Sequence, residues 1–237
     1  MKTGRWSCCW EDIFLLLISL LFPSRKNHIQ KVLELKRAGV RIIDPLLTFI
    51  DPGVTVKKNT IIHPGVHLLK ETHIGENCVI WPYQVLINIT TGDNCEIGRP
   101  IKSDSSLGNN VKLGETAEIR RCKIGNNVTS VHHSYLGDTI AEDGVNVGAG
   151  TITCNFDGSS DKKQTILKKG AFIGTNANLV APIIIGEEAI IAAGSTITRD
   201  VPAHALAISR SREQIIFSDY WEKDPDNQKY WRRKSKK

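Results

Sequence analysis

The chain has 237 residues, of which 41% are hydrophobic and 24% are charged. This is enough apolar sequence for one folded domain and excludes a disordered chain. Aromatic residues make up only 6%, whereas glycine occurs 19 times, so turns and aliphatic packing are expected rather than a helical bundle. The net charge is +6, but no nucleic-acid reader motif accompanies it, so we expect an anionic small molecule and no nucleic acid as a partner.

Residues 1–26 are an apolar leader whose role the sequence leaves open. The run at 13–22 is apolar and follows Lys2 and Arg5, as in a signal peptide, but Glu11 and Asp12 adjoin it and no small-x-small cleavage site follows. Ten residues are too few to cross a bilayer as a helix. Packing on the body or on a partner, attachment to a membrane surface, and a cleaved signal remain three alternatives.

Residues 27–41 are predicted to be a short helical linker. The segment 28–37 carries an apolar stripe at Ile29, Val32, Leu33 and Leu35, and Gly39 marks its end.

A six-residue period dominates the chain from Ile50 onward. Aliphatic residues recur at this spacing: Ile50, Val56, Ile62, Leu68, Ile74, Ile80, Leu86, then Ile101, Leu107, Leu113, Ile119, then Leu167, Ile173, Leu179, Ile185, Ile191 and Ile197. Neither strand alternation nor helical spacing produces this period. It predicts an all-β fold, a parallel β-helix with three flat faces and about eight turns between residues 50 and 201. Each aliphatic side chain is expected to point inward and to stack on its equivalent three hexapeptides later.

Two interruptions of the period stand out because a strict repeat carries little chemistry. The polar segment 154–165 is predicted to leave the coil as a loop, the alternative being a tolerated surface insertion. In the segment 128–138, Ser130 takes an inward position and His132 and His133 stand side by side. Adjacent residues of a strand point to opposite faces, so at most one of these histidines can face a given cleft.

The six cysteines form no C-x-x-C pair, which favours reduced thiols in a cytoplasmic protein. His63, His67 and His73 have poor spacing for a shared metal ion, and no metal site is expected.

Several longer runs carry a more specific signal: residues 132–138, 145–158, 179–182, 192–201 and 208–210. They resemble the acetyltransferase domain of the bacterial bifunctional enzymes that make UDP-N-acetylglucosamine. The resemblance covers residues 28–212 and is strongest from Gly114 to Arg210. It implies a left-handed coil over residues 42–210, a homotrimer with active sites between adjacent coils, and acetyl transfer from acetyl-CoA to the amine of glucosamine 1-phosphate. Residues 211–237 are expected to form an irregular tail with a basic end.

The same resemblance implies roles for individual residues. His132 corresponds to the general base and Glu118 to the carboxylate that supports it. Positions that hold the sugar phosphate correspond to Lys102, Arg120, Tyr135, Asn146 and Lys162. Positions that hold the coenzyme correspond to Ala149, Asn155, Phe156, Thr175, Ala193 and Arg210. Lys102, Arg120, Phe156 and Thr175 replace the family's arginine, lysine, tyrosine and serine, and only Phe156 loses a functional group.

Two other functions stay open from the sequence. The substrate could be another amino sugar or an amino nucleotide sugar, or the chain could be a non-catalytic trimeric scaffold recruited to a membrane through residues 13–22. The family's enzymes also carry a nucleotidyltransferase domain, for which the residues before the coil are too few. We therefore expect no uridylyl transfer by these residues and a separate uridylyltransferase as a partner.

Overall fold

The protein folds as a parallel β-helix preceded by two helices, α1 (Ser7–Leu21) and α2 (Lys26–Arg37). The structure, a computed structural model, describes residues 7–22, 26–99, 102–158, 161–211, 221–223 and 231–233. Within these residues, three faces of parallel strands wind around one aliphatic interior. The all-β parallel β-helix predicted from the six-residue period is confirmed.

Face 1 is a continuous ten-stranded sheet. Its strands are β1 (Arg41–Ile42), β4 (Ile61–Ile62), β7 (Val79–Ile80), β9 (Glu96–Ile97), β11 (Lys112–Leu113), β14 (Thr129–Ser130), β17 (Asn146–Val147), β20 (Phe172–Ile173), β23 (Ile190–Ile191) and β25 (Leu206–Ala207).

Faces 2 and 3 belong to one sheet because two long strands, β8 (Val85–Thr91) and β10 (Lys102–Leu107), pair on both faces. The other strands of face 2 are β2 (Phe49–Ile50), β5 (His67–Leu69), β12 (Ala117–Arg120), β15 (Ser134–Gly137), β18 (Ile152–Cys154), β21 (Asn178–Val180) and β24 (Thr196–Ile197). Those of face 3 are β3 (Thr55–Val56), β6 (His73–Ile74), β13 (Lys123–Ile124), β16 (Thr139–Ala141), β19 (Thr165–Leu167) and β22 (Ile183–Ile185).

The aliphatic residues of the six-residue period form the interior, as predicted. Every described member of the series is at most 6% exposed, and Ile101 lies outside the described residues. Ser130 occupies an inward position of face 1, where it pairs in register with Leu113 and is fully buried. Its hydroxyl lies 2.8 Å from that of Ser134, so the polar substitution inside the coil is satisfied locally.

The expected uniform spacing of three hexapeptides per turn holds in only part of the coil. Ile62 pairs in register with Ile80, three hexapeptides further on. Ile80 pairs with Ile97, and this turn is one residue shorter than three hexapeptides. Ile97 pairs with Leu113, and that turn is two residues shorter than three hexapeptides. Corner residues with positive φ, such as Asn94 and Asn110, allow the chain to turn within these shorter repeats. The inward-pointing aliphatic residues therefore stay stacked from turn to turn, although their spacing in the sequence is no longer a multiple of six.

Helix α2 closes the first turn of the coil with the four apolar residues predicted for it, all of them buried. It begins two residues before His28 and ends at Arg37; Gly39 follows with a φ of +89°, and Val40 N donates to Leu35 O. Helix α1 contains the apolar run of the leader and packs on α2, with Asp12 Oδ1 2.9 Å from Lys36 Nζ. None of the described helices is both long enough and apolar enough to cross a membrane.

The tail is not wholly irregular. Strands β26 (Trp221–Lys223) and β27 (Trp231–Arg233) form an antiparallel pair, which suits the strand preference of their aromatic residues. The basic end, residues 234–237, lies outside the described residues.

Candidate active site

Most of the residues singled out in the sequence lie on face 2 or on the two corners that border it. The corner between faces 1 and 2 is called here the first edge, with residues 131–133, 148–150, 174–176, 192–194 and 208–210. The corner between faces 2 and 3 is called the second edge, with residues 104, 121, 138 and 155. Backbone hydrogen bonds align each edge from turn to turn, since Asn176 N donates to Ala149 O and Gly194 N to Thr175 O.

The first edge brings His132 into line with the residues expected to hold the coenzyme. Gly150 N donates to His133 O, so His132 lies one turn before Ala149, followed by Thr175 and Ala193. Turns of a parallel sheet are about 4.8 Å apart, which spreads these four positions over about 14 Å. Arg210 lies one turn further, with its Cδ 3.7 Å from the place of a Cβ on Gly194.

The shape of this edge suits an extended ligand. Ala149 is half-buried, and Ala193 and Thr175 are exposed, so at these three positions only small side chains rise above the backbone. His132 is exposed at one end of the strip and Arg210 at the other. An exposed imidazole can accept a proton from a ligand at its own end, and a guanidinium can bind an anionic group at the far end.

The outer surface of face 2 carries Glu118 and Tyr135 as register partners on neighbouring turns. The Glu118 carboxylate lies 3.2 Å from Arg120 Nε, so the carboxylate expected to support the base contacts a residue expected to hold the sugar phosphate. No hydrogen bond joins Glu118 to His132 among the described residues. The supporting role of Glu118 therefore stays a prediction.

The second edge holds a charged network in three successive turns. Arg121 donates from Nε and from an Nη atom to the two oxygens of Asp138, at 2.6 and 2.8 Å. Asn155 Nδ2 donates to Asp138 Oδ2 at 2.5 Å. The Arg121 guanidinium holds the pKa of Asp138 below its ordinary value, and the Asn155 amide acts in the same direction. Asn155 is 5% exposed, so this contact fixes which way its amide points.

Sequence reasoning found Asn155 but missed Arg121, Asp138 and the role of Gly137. A Cβ on Gly137 would collide with Asn155 Nδ2 and lie 2.7 Å from the Tyr135 hydroxyl, so both side chains pass directly over this glycine. Only a residue without a side chain permits this approach. The signal that could have found the network is the regular spacing of positions 121, 138 and 155, one short turn apart.

The predicted loop leaves the coil from Asn155. Val147 pairs in register with Ile173, so the turn that contains the loop is much longer than the regular turns described above. Lys163 N closes the loop on Asn155 O at 2.8 Å. Lys162 Nζ lies 3.5 Å from the centre of the Phe156 ring in a cation–π contact. Phenylalanine can make this contact as the family's tyrosine could, because both have an aromatic ring. Residues 159 and 160 lie outside the described residues.

Two predicted site residues lie elsewhere. Lys102 pairs in register with Leu86 and Ile119, points inward with them and is fully buried, with its Nζ 2.5 Å from Gly98 O. Burial lowers the pKa of Lys102 to about 7, against the opposing effect of the Glu118 charge. In this position its ammonium group faces the interior, so a role in binding phosphate would require the side chain to move outward. Asn146 is half-buried on face 1, whereas Arg120 and Tyr135 lie on face 2.

The three histidines of the first turns have other contacts. His63 stacks on Trp81, His67 contacts Phe49, and His73 Nδ1 lies 2.8 Å from Thr55 Oγ1. No group of three potential metal ligands occurs within the part of the chain that the structure describes. The four cysteines whose side chains are described, Cys78, Cys95, Cys122 and Cys154, are free thiols.

Comparison with known proteins bears on the family and the fold. The family model described as bacterial transferase hexapeptide (six repeats) matches residues 48–83 and 164–199, and the second of these segments contains Thr175 and Ala193 of the first edge. The chain belongs to the hexapeptide-repeat family. A UDP-N-acetylglucosamine acyltransferase from Campylobacter jejuni has a similar structure, with a TM-score of 0.63 at 17% identity over 71% of each chain. At this identity the likeness shows the fold alone.

More similar sequences come from proteins named bifunctional protein GlmU. The one from Brevibacillus brevis is 44% identical over 207 residues, which are 80% of this hexapeptide-repeat chain and 44% of the relative. The one from Carboxydothermus hydrogenoformans is 41% identical over 209 residues, 81% of this chain and 46% of the relative. The chain thus spans about half the length of the curated relatives it matches.

Proposed function

We propose that the chain transfers the acetyl group of acetyl-CoA to the amine of glucosamine 1-phosphate, giving N-acetylglucosamine 1-phosphate and free coenzyme A. The observation that carries this proposal is the alignment of His132, Ala149, Thr175, Ala193 and Arg210 along one edge, in a chain 44% identical over four fifths of its length to a GlmU protein.

The first edge supports the coenzyme part of the proposal. The pantetheine arm lies along Ala149, Thr175 and Ala193, where no large side chain obstructs it. Arg210 then neutralises a phosphate of the coenzyme, and the thioester comes to rest near His132 and Asn155. The order of His132, Ala149, Thr175, Ala193 and Arg210 along the first edge supports this path, whereas Asn155 lies on the second edge.

The chemistry assigned to His132 is proton transfer. Its neutral imidazole accepts a proton from the ammonium or attacking amine on a ring nitrogen, as a general base does. The amine nitrogen forms a bond to the thioester carbon, the C–S bond breaks, and coenzyme A leaves as a thiolate that takes up a proton. Backbone amides or the Thr175 hydroxyl stabilise the negative charge on the carbonyl oxygen meanwhile.

The sugar phosphate is assigned to the cationic and polar groups near face 2. Arg120 and Tyr135 provide a charge and a hydroxyl on this face, and Lys162 reaches it from the loop. Asn146 would join them from a neighbouring coil, which supports a homotrimer with sites between subunits. A cytoplasmic location also stays part of the proposal and fits the free thiols.

The test is coenzyme A release from acetyl-CoA with glucosamine 1-phosphate as acceptor. We expect His132→Ala to lower the rate by about 10²- to 10⁴-fold, whereas His133→Ala, the matched control one residue away, should retain most activity. Equal activity of His132→Ala and the unchanged protein would refute the catalytic assignment.

Two controls separate the alternative functions. Faster acetylation of another amino sugar or of an amino nucleotide sugar in the same assay would replace the proposed substrate. Absence of acetyl-CoA binding in calorimetry would support the scaffold, and pyrophosphate release with UTP, measured in parallel, tests for uridylyl transfer.

A further inference from the structure

Helix α1 presents an apolar surface to solvent that the proposed reaction does not use. We call this surface the α1 apolar face; its members are 43–76% exposed and comprise Ile13, Phe14, Leu16, Leu17, Leu20, Leu21 and Phe22. At roughly 200 Å² for a large apolar residue, these exposures amount to about 800 Å². The largest apolar patch of a typical monomer is about 300–600 Å², so this face is larger than an ordinary solvent-exposed surface.

The opposite side of α1 fixes how the helix sits on the body. Leu15 is 2% exposed, Ile18 packs against the core, and Asp12 pairs with Lys36 at 2.9 Å. The helix is therefore already docked through one side. Turning the α1 apolar face inward would expose Leu15 and break the ion pair, so in the part of the chain that the structure describes the face stays uncovered.

We propose that the α1 apolar face inserts into the surface of an anionic lipid bilayer and so attaches the protein to the membrane. A 15-residue helix is about 22 Å long, shorter than the hydrocarbon core of about 30 Å. Such a helix is suited to lie along the surface, with its apolar side chains in the headgroup and acyl boundary.

The charges on either side of α1 determine the kind of surface. Lys2 and Arg5 precede the helix in the sequence, and Arg25 and Lys26 follow it. Cations at both ends of an interfacial helix bind anionic lipid headgroups while its apolar residues enter the acyl region. A neutral bilayer would offer only the apolar interaction and no electrostatic attraction to these cations.

The same charges disfavour a second copy of the chain as the partner. In a parallel pair of α1 helices, like charges of the two copies would adjoin at both ends, whereas in an antiparallel pair Glu11 and Asp12 would offset part of the repulsion between the cationic flanks. Like charges at close range oppose association. An anionic bilayer covers the face and neutralises the flanks at once.

The test is flotation of the full chain with two kinds of vesicle, phosphatidylcholine alone and a two-to-one mixture of phosphatidylcholine and phosphatidylglycerol. We expect binding to the second kind, weakened at least tenfold by Leu17→Ser combined with Leu20→Ser, which alter exposed residues only. The matched control is Ile190→Ser with Leu206→Ser, two exposed apolar residues of the coil, and it should float like the unchanged protein. Circular dichroism should be the same for all forms.

Three outcomes would overturn the proposal. The unchanged protein could fail to float with either vesicle, it could bind both vesicles equally, or the paired α1 substitutions could leave binding intact. Light scattering at matched concentrations gives a further criterion. A smaller oligomer after the α1 substitutions, together with no flotation of the unchanged protein, would assign the face to a second copy instead.

Discussion

Replacing Asp138 by asparagine tests the network on the second edge. The substitution keeps the size of the side chain but removes its charge and one of its two acceptor oxygens, so Arg121 and Asn155 compete for the remaining one. The Arg121 side chain is 43% exposed, and an exposed ion pair contributes only about 0.5–1 kcal/mol. Asn155 is nearly buried, and an unsatisfied buried amide costs about 1–3 kcal/mol. We expect the free energy of unfolding to fall by about 2 kcal/mol.

The assay for this prediction is urea unfolding at pH 7 and a fixed protein concentration, because assembly changes apparent stability. The matched control is Glu142→Gln, which removes the exposed Glu142–Lys168 pair and should cost about 0.5 kcal/mol. The reasoning is refuted if both substitutions cost the same, or if Asp138→Asn has no effect.

The pH dependence of the same variant supplies a second criterion. Because Arg121 lowers the pKa of Asp138 in the folded state, the unfolded chain binds the proton more readily. The stability that Asp138 contributes is therefore complete above its unfolded pKa of about 3.9 and is lost as the pH falls through the folded value. The difference between the unchanged protein and Asp138→Asn should persist from pH 7 to about 5 and shrink below about 4.

Three further substitutions test the site and the interior. Gly137→Ala should displace the Asn155 amide and the Tyr135 hydroxyl and raise the KM for acetyl-CoA through the first group and that for glucosamine 1-phosphate through the second; two unchanged KM values would show that neither group positions its ligand. Leu136→Ala, at a fully buried position, should lower the free energy of unfolding by about 2–5 kcal/mol in urea titrations, and a loss below about 1 kcal/mol would contradict its inward placement. The stability of the unchanged protein should rise from pH 7 to about 10, because burial lowers the pKa of Lys102 to about 7 and the unfolded chain binds more protons in this range. Lys102→Met should remove that rise, and a rise that persists in this variant would place its origin elsewhere.

The regular part of the fold could be predicted because it depends on local repetition. An aliphatic residue every six positions can be buried only if each hexapeptide forms one face of a coil, so Ile62, Ile80 and Leu68 were assigned inward correctly. The loop after Cys154 could also be predicted, because polar residues replace the repeat there. Helix α2 followed from its apolar stripe and its terminal glycine.

The site could be predicted only where the resemblance named a residue. His132, Ala149, Thr175 and Ala193 line up along the first edge because each occupies the same place in its own repeat. The inward position of Lys102 could not be predicted in this way. Some turns are one or two residues shorter than three hexapeptides, and this shifts which residues of the next strand point inward. A shift of one residue reverses that direction.

The sequence by itself determined that this chain would form a β-helix with many glycine-rich turns, few aromatic residues and an aliphatic interior, since these depend on spacing along the chain. Only the tertiary structure decided which corner residues meet across turns. Arg121, Asp138 and Asn155 are far apart in sequence, and only the winding of the coil brings their side chains to between 2.5 and 2.8 Å. The same holds for the leader, because the packing of α1 on α2 through Leu15 left its other side exposed.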